Sequence, residues 1–125
     1  MSALSSTPRR IVVVGGLLLL WAALPQAHTK LEKSEPAAGA AVTAAPKEIQ
    51  LWFNEKIDLA VSKIELTSPS GKVELGPTHS MGDKTLMAAI SGRVTGGTYT
   101  VAWQTAGDDG HLSKGDFTFT VRTAH

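Results

Sequence analysis

The sequence predicts an all-β domain, a small Greek-key β-barrel or β-sandwich of about seven short strands, preceded by a segment of another kind. Three observations carry that prediction. Apolar residues alternate with polar or small ones in a series of short stretches, the period of a strand with one buried face. Turn residues recur between these stretches at short, fairly regular intervals. No stretch beyond residue 28 carries a convincing helical pattern, which leaves a small antiparallel two-layer or closed β fold. The chain has 125 residues, enough for one modest domain.

The first 27 residues read as a secretory signal peptide. Ser2 to Arg10 is polar and ends in two arginines, and Ile11 to Leu24 is a nearly unbroken apolar run. That run is short of the roughly 20 apolar residues a membrane helix needs. A basic start, a short apolar centre and a small residue at Ala27 place the cut before His28. Pro25 stands where a small residue is preferred, so the cleavage pattern is imperfect. Arg9-Arg10 raises twin-arginine export, although Ile11-Val12-Val13 matches poorly what should follow it. Cleavage divides the chain into a signal peptide, 1–27, and a β domain, 28–125. The mature chain then has 98 residues (125 less 27), and without Arg9 and Arg10 its ten basic residues stand against eleven acidic ones. A net charge of −1 offers no basic footprint for nucleic acid. With no cysteine, the domain must rely on its core alone, and thiolate metal sites and cysteine nucleophiles are excluded.

Taken in order, Leu31 is a lone apolar residue in a polar segment ending at Glu35-Pro36, and a short first strand is expected there. Pro36 to Pro46 is rich in small residues. Prolines at both ends and Gly39 within disfavour a long helix, which leaves a loop with a short strand near Val42, or irregular chain. Ile49, Leu51 and Phe53 alternate with Gln50, Trp52 and Asn54 and form a strand. Glu55 to Leu59 turns away from it. Ser62 to Thr67 puts Ile64 and Leu66 on one face, Pro69-Ser70-Gly71-Lys72 turns, and Val73 and Leu75 return. Gly76 to Lys84 is loop-like and contains His79 and Met81. Leu86, Ala88 and Ile90 alternate, with Met87 out of phase. Gly92 to Gly97 turns into the last two strands, marked by Tyr99, Val101 and Trp103 and by Phe117, Phe119 and Val121. The loop between them, about Ala106 to Gly115, holds Asp108, Asp109 and His111.

Those three residues are the one tight group of potential ligands. Asp-Gly is a favoured turn pair, so Asp109-Gly110-His111 by itself says little more than that the chain reverses here. His28 changes its meaning. A free N-terminal histidine offers its α-amine and imidazole Nδ1 to one ion as a single chelate ring. The amine titrates close to neutrality, so a metal of modest affinity displaces its proton. His111 would add a third nitrogen and Asp109 an oxygen. A tetragonal N/O set suits Cu(II), which also heads the Irving–Williams order, whereas the main competitor, Zn(II), prefers a tetrahedron. Another N-terminal copper motif needs histidine at the third mature position, where this chain has Lys30. His125 is read as a solvated terminus, Trp103 and the Phe117/Phe119 pair as core, and Trp52 as partly exposed.

The segments HTKLEKSEPAAGAAV, AP-KEIQLWFNE, GTYTVAWQT and DDGHLSKGDFTFTV, in that order, span nearly the whole mature chain. In them the chain resembles the copper-resistance protein C (CopC) family of periplasmic copper-binding proteins. The resemblance implies a cupredoxin-like Greek-key β-barrel in the periplasm with a Cu(II) site at the mature N-terminus. It matches His28 to the family's N-terminal ligand, Asp109 and His111 to its D-x-H pair, and Glu55 to an acidic residue near that site. Glu55 is expected to accept a hydrogen bond from the terminal amine, as partners that orient metal ligands do. The chain departs from members that carry a methionine-rich Cu(I) loop, since residues 68–84 contain only Met81, with His79 two residues before it. One thioether and one imidazole make a thin Cu(I) site, so the chain is read as resembling a member with a Cu(II) site alone.

The function implied is a non-enzymatic carrier that sequesters Cu(II) or hands it to an inner-membrane copper transporter of the CopD type. The alternative is a copper monooxygenase-like enzyme, which also joins an N-terminal histidine to a second histidine on copper. Redox turnover needs an open coordination position, which Asp109 would occupy. A third reading is a plain structural β-sandwich with incidental histidines.

Overall fold

The computed structural model describes residues 29–122. The expected signal peptide, His28 and His125 lie outside the described residues. Eight strands run in the order β1 Leu31–Glu35, β2 Ala41–Val42, β3 Glu48–Phe53, β4 Lys63–Ser68, β5 Gly71–Val73, β6 Thr85–Ala89, β7 Gly97–Ala106 and β8 Leu112–Val121. Among the described residues a single 3-10 turn, Leu59–Val61, interrupts them. The strands form two sheets, β1-β3-β6 and β2-β8-β7-β4-β5, packed as a sandwich. All pairs are antiparallel except β2 with β8, where Ala41 lies beside Thr120. The expected count of about seven becomes eight because β2 is a strand, its two residues held by pairing along β8.

Alternation puts the core where the period-2 pattern says it should be. Ile49, Leu51 and Phe53 of β3 and Leu86 and Ala88 of β6 face Ile64, Leu66, Tyr99, Val101, Phe119 and Val121 from the larger sheet, all buried. Burying a side chain of this kind is worth about 1.5–3 kcal/mol. Phe53 meets Trp103 edge to face at 5.2 Å across the two sheets, and within the larger sheet Tyr99 stacks on its cross-strand neighbour Phe119 at 5.5 Å. The buried Tyr99 hydroxyl is satisfied by Thr95, donating to its carbonyl at 2.6 Å and accepting from its N–H at 2.8 Å.

Three local expectations are corrected. Leu75 is not in the returning strand, which ends at Val73; it makes an isolated bridge to Ile90. The segment 76–84 is not wholly a loop, because His79 bridges Met87 along the outer edge of β6. The last loop is also shorter than expected. The β7–β8 ladder continues to Ala106 opposite Leu112, leaving only residues 107–111. Lys114-Gly115 breaks the apolar pattern but not the ladder. Gly115 lies opposite Trp103, and a Cβ there would come within 2.5 Å of the indole. The glycine makes room for the tryptophan without ending the strand.

Candidate metal centre

The five-residue loop Gly107-Asp108-Asp109-Gly110-His111 is a tight turn built by its own backbone. The Gly110 N–H donates to the Gly107 carbonyl at 3.0 Å, and Gly110 takes a φ of +77°, a region that favours glycine. Asp109 Oδ1 accepts from the His111 N–H at 3.0 Å, the side-chain-to-backbone closure expected of aspartate in a turn. Its other oxygen, Oδ2, lies 3.6 Å from His111 Nδ1. Carboxylate and imidazole are thus side by side and open to solvent, 48% and 75% exposed. Asp108 does not join them. It lines a shallow groove with Lys56, Asp58 and Leu59.

The root of this loop is buried and polar. Thr105 is fully buried, and its Oγ1 lies 2.7 Å from Ser62 Oγ. Ser62 in turn donates to the Asp58 carbonyl at 2.7 Å, and the Asp58 N–H donates to the Ala106 carbonyl at 2.9 Å. The end of β7 is therefore tied to the 3-10 turn before the loop leaves the sheet.

The start of the described chain runs to the same place. Lys30 donates its N–H to Asn54 Oδ1 at 2.8 Å and accepts from the Asn54 N–H at 3.0 Å. Thr29 is buried and donates its hydroxyl to Glu55 Oε1 at 3.1 Å. Both groups press on Gly107, where a Cβ would collide with Glu55 Oε1 and lie 2.7 Å from Thr29 Oγ1. Glu55 is thus found where the loop begins, with Thr29 as its hydrogen-bond partner. His28, the residue covalently joined to Thr29, lies outside the described residues. Thr29, Gly107, Ser62 and Thr105 were not legible as site residues. The only sequence signal is Gly107 itself, and it reads as one more turn glycine.

The expected Cu(I) pair is differently placed. His79 is exposed and exchanges backbone hydrogen bonds of 2.9 and 2.7 Å with Met87. Met81 is 76% exposed and donates its N–H to Thr85 Oγ1 at 2.9 Å. Met81, Met87, Trp52, Gln50 and Thr85 line one hollow on the outer face of the three-stranded sheet. Met87, which its phase alone set aside, therefore lies opposite His79 and beside Met81. Trp52 is half-buried, with Lys33 Nζ 4.7 Å from its ring centroid.

Among the described residues, no three His, Asp or Glu side chains converge as a metal-binding group. Asp109 and His111 supply one hard oxygen and one borderline nitrogen. That donor chemistry fits Cu(II) once further nitrogens join it.

Known proteins resemble this chain over nearly all of the described residues. A sequence model of the CopC domain matches residues 31–122. Protein YobA of Escherichia coli strain K12 is 36% identical over 99 residues, covering 77% of this chain and 80% of that protein. Copper resistance protein C of Escherichia coli is 31% identical over 122 residues, covering 90% and 96%. The crystal structure of PcoC, a methionine rich copper resistance protein from Escherichia coli, superposes with a TM-score of 0.70 at 32% identity, covering 77% of this chain and all of that one.

Proposed function

This chain belongs to the CopC family, and from that premise we propose that it is a periplasmic Cu(II)-binding protein of copper homeostasis and resistance. It holds copper as cargo and carries out no catalysis, as its family does. The ligands are the α-amine and imidazole of His28, freed by signal cleavage after Ala27, with Asp109 and His111. Glu55 supports them from beneath. The receiver of the copper is an inner-membrane transporter of the CopD type.

The observation that carries this reading is the junction of two distant segments. The Asp109–His111 pair rises from Gly107, and Gly107 packs against Thr29 and Glu55. A ligand attached directly to Thr29 starts beside the loop that bears the other two. The copper-monooxygenase alternative finds no support among the relatives. For Cu(I), the bridge that sets His79 opposite Met87, with Met81 on the same hollow, favours a second, softer site.

The test is a Cu(II) titration of two proteins, one beginning at His28 and one with an extra residue ahead of it. The first binds one equivalent and quenches tryptophan fluorescence. The second binds far more weakly, because its residue 28 carries an amide in place of an amine. Equal affinities refute the amine ligand. The mass of the exported protein locates the cut.

A further inference from the structure

We infer that Thr29, Glu55 and Gly107 form a latch that fixes the chain at Thr29 against the root of the Asp109–His111 loop, with Thr29 and Gly107 as positioning residues. This rests on the copper reading above and adds to it residues that carry no metal donor.

The case begins with Gly107. Its φ lies outside the positive range that favours glycine, so conformation does not call for a glycine there; space does. It is buried, and the room a methyl group would need is already taken by Glu55 Oε1 and Thr29 Oγ1. Thr29 is the second element. Cleavage after Ala27 would make it the second residue of the chain, and such a residue ordinarily frays into solvent. Here it is 6% exposed and spends its hydroxyl on a carboxylate 26 positions away. The next residue, Lys30, is held by two hydrogen bonds to Asn54. The chain is thus pinned on the two residues that follow His28. A terminal ligand held this way loses little freedom when a metal arrives, and partners that orient ligands raise metal affinity for that reason.

Substitution separates the latch from the fold. In Gly107→Ala the new methyl meets the far ends of two side chains, not backbone. The Glu55 carboxylate swings aside, the sandwich survives, and the bond to Thr29 is lost. Thr29→Val keeps the shape of the side chain and removes its donor, whereas Thr29→Ser keeps the donor.

The experiment uses protein beginning at His28. Cu(II) affinity is measured by competition, and amide exchange at Lys30 is measured without metal. Gly107→Ala and Thr29→Val lose about 10–100-fold in affinity, the usual cost of removing an orienting partner, and their Lys30 amide exchanges faster. Thr29→Ser stays near wild type in both. If Gly107→Ala does not fold, Thr29→Val decides. Wild-type affinity in Thr29→Val, with unchanged Lys30 exchange, overturns the latch. Failure of the copper reading looks different: wild-type protein then binds equally with and without an extra residue ahead of His28. In that case the exchange rates of the metal-free variants still decide whether the latch exists.

Discussion

The Asp109–His111 loop and the His79–Met87 bridge each bring residues with potential metal donors near one another, the first by a side-chain contact and the second by backbone pairing. In the loop both side chains are exposed, and the rigidity lies beneath them, in a buried glycine, a buried threonine and the buried Ser62–Thr105 hydroxyl pair. At the bridge the rigidity is in the backbone, since residues 75 to 79 run along β6, while the side chains differ in fate. Met87 is buried and Met81 projects into solvent. The residue types differ as well, with carboxylate and imidazole at one place and thioethers and imidazole at the other, and by ligand softness the first set suits Cu(II) and the second Cu(I). Exposure alone does not mark the better site. A weakly ordered donor must be fixed as the metal binds, and the loop has more beneath it to do that work.

The strongest way to break this comparison is to remove one imidazole from each place. His111→Ala is expected to lower Cu(II) affinity by more than the ~100-fold upper range for losing an orienting partner, because a ligand itself is gone. Its stability should change by no more than about 0.5 kcal/mol, since the side chain is exposed and its 3.6 Å contact with Asp109 lies at the surface. His79→Ala should leave Cu(II) affinity unchanged. Competition titration and thermal melts of both variants check this. Equal losses of Cu(II) affinity would mean that the two regions are not distinct in function.

Met87→Ala sharpens the contrast from the other side. Met87 is 6% exposed and covered on the outer face of the small sheet, so truncation should cost about 2–5 kcal/mol in urea unfolding. Cu(II) affinity should not follow.

The same two regions show which features residue order announces and which it hides. Ile49-Leu51-Phe53 and Tyr99-Val101-Trp103 announce their strands because each has one face in the core and one outside it. Segments held by pairing alone carry no such signal. Ala41–Val42 is too short to alternate, His79 bridges Met87 through backbone atoms only, and Leu112 to Gly115 continues a ladder whose outer face is solvated. At the loop, Asp109 and His111 were legible because Asp-Gly beside histidine has a local geometry. Thr29 was not, because its role depends on Glu55, 26 positions along the chain. Gly107 was misleading in a different way, since a glycine needed for space looks the same in sequence as one needed for a turn.

The smallest expected effect concerns the root of the loop. Ser62 Oγ spends its proton on the Asp58 carbonyl, so the 2.7 Å contact to Thr105 must be a donation from the threonine. Thr105→Val removes that donor while keeping the volume, and the Ser62 oxygen is left with one unfilled acceptor. The cost should be about 1 kcal/mol, measured by urea unfolding. Cu(II) affinity should fall less than in Gly107→Ala. Thr105 ties down the strand from which the loop springs, whereas Gly107 decides whether residue 29 can reach the loop at all. A Thr105→Val variant that lost more affinity than Gly107→Ala would shift the weight of the site from the Thr29 contact to the strand end, and the contrast between a pinned loop and an edge-paired bridge would have to be redrawn around β7.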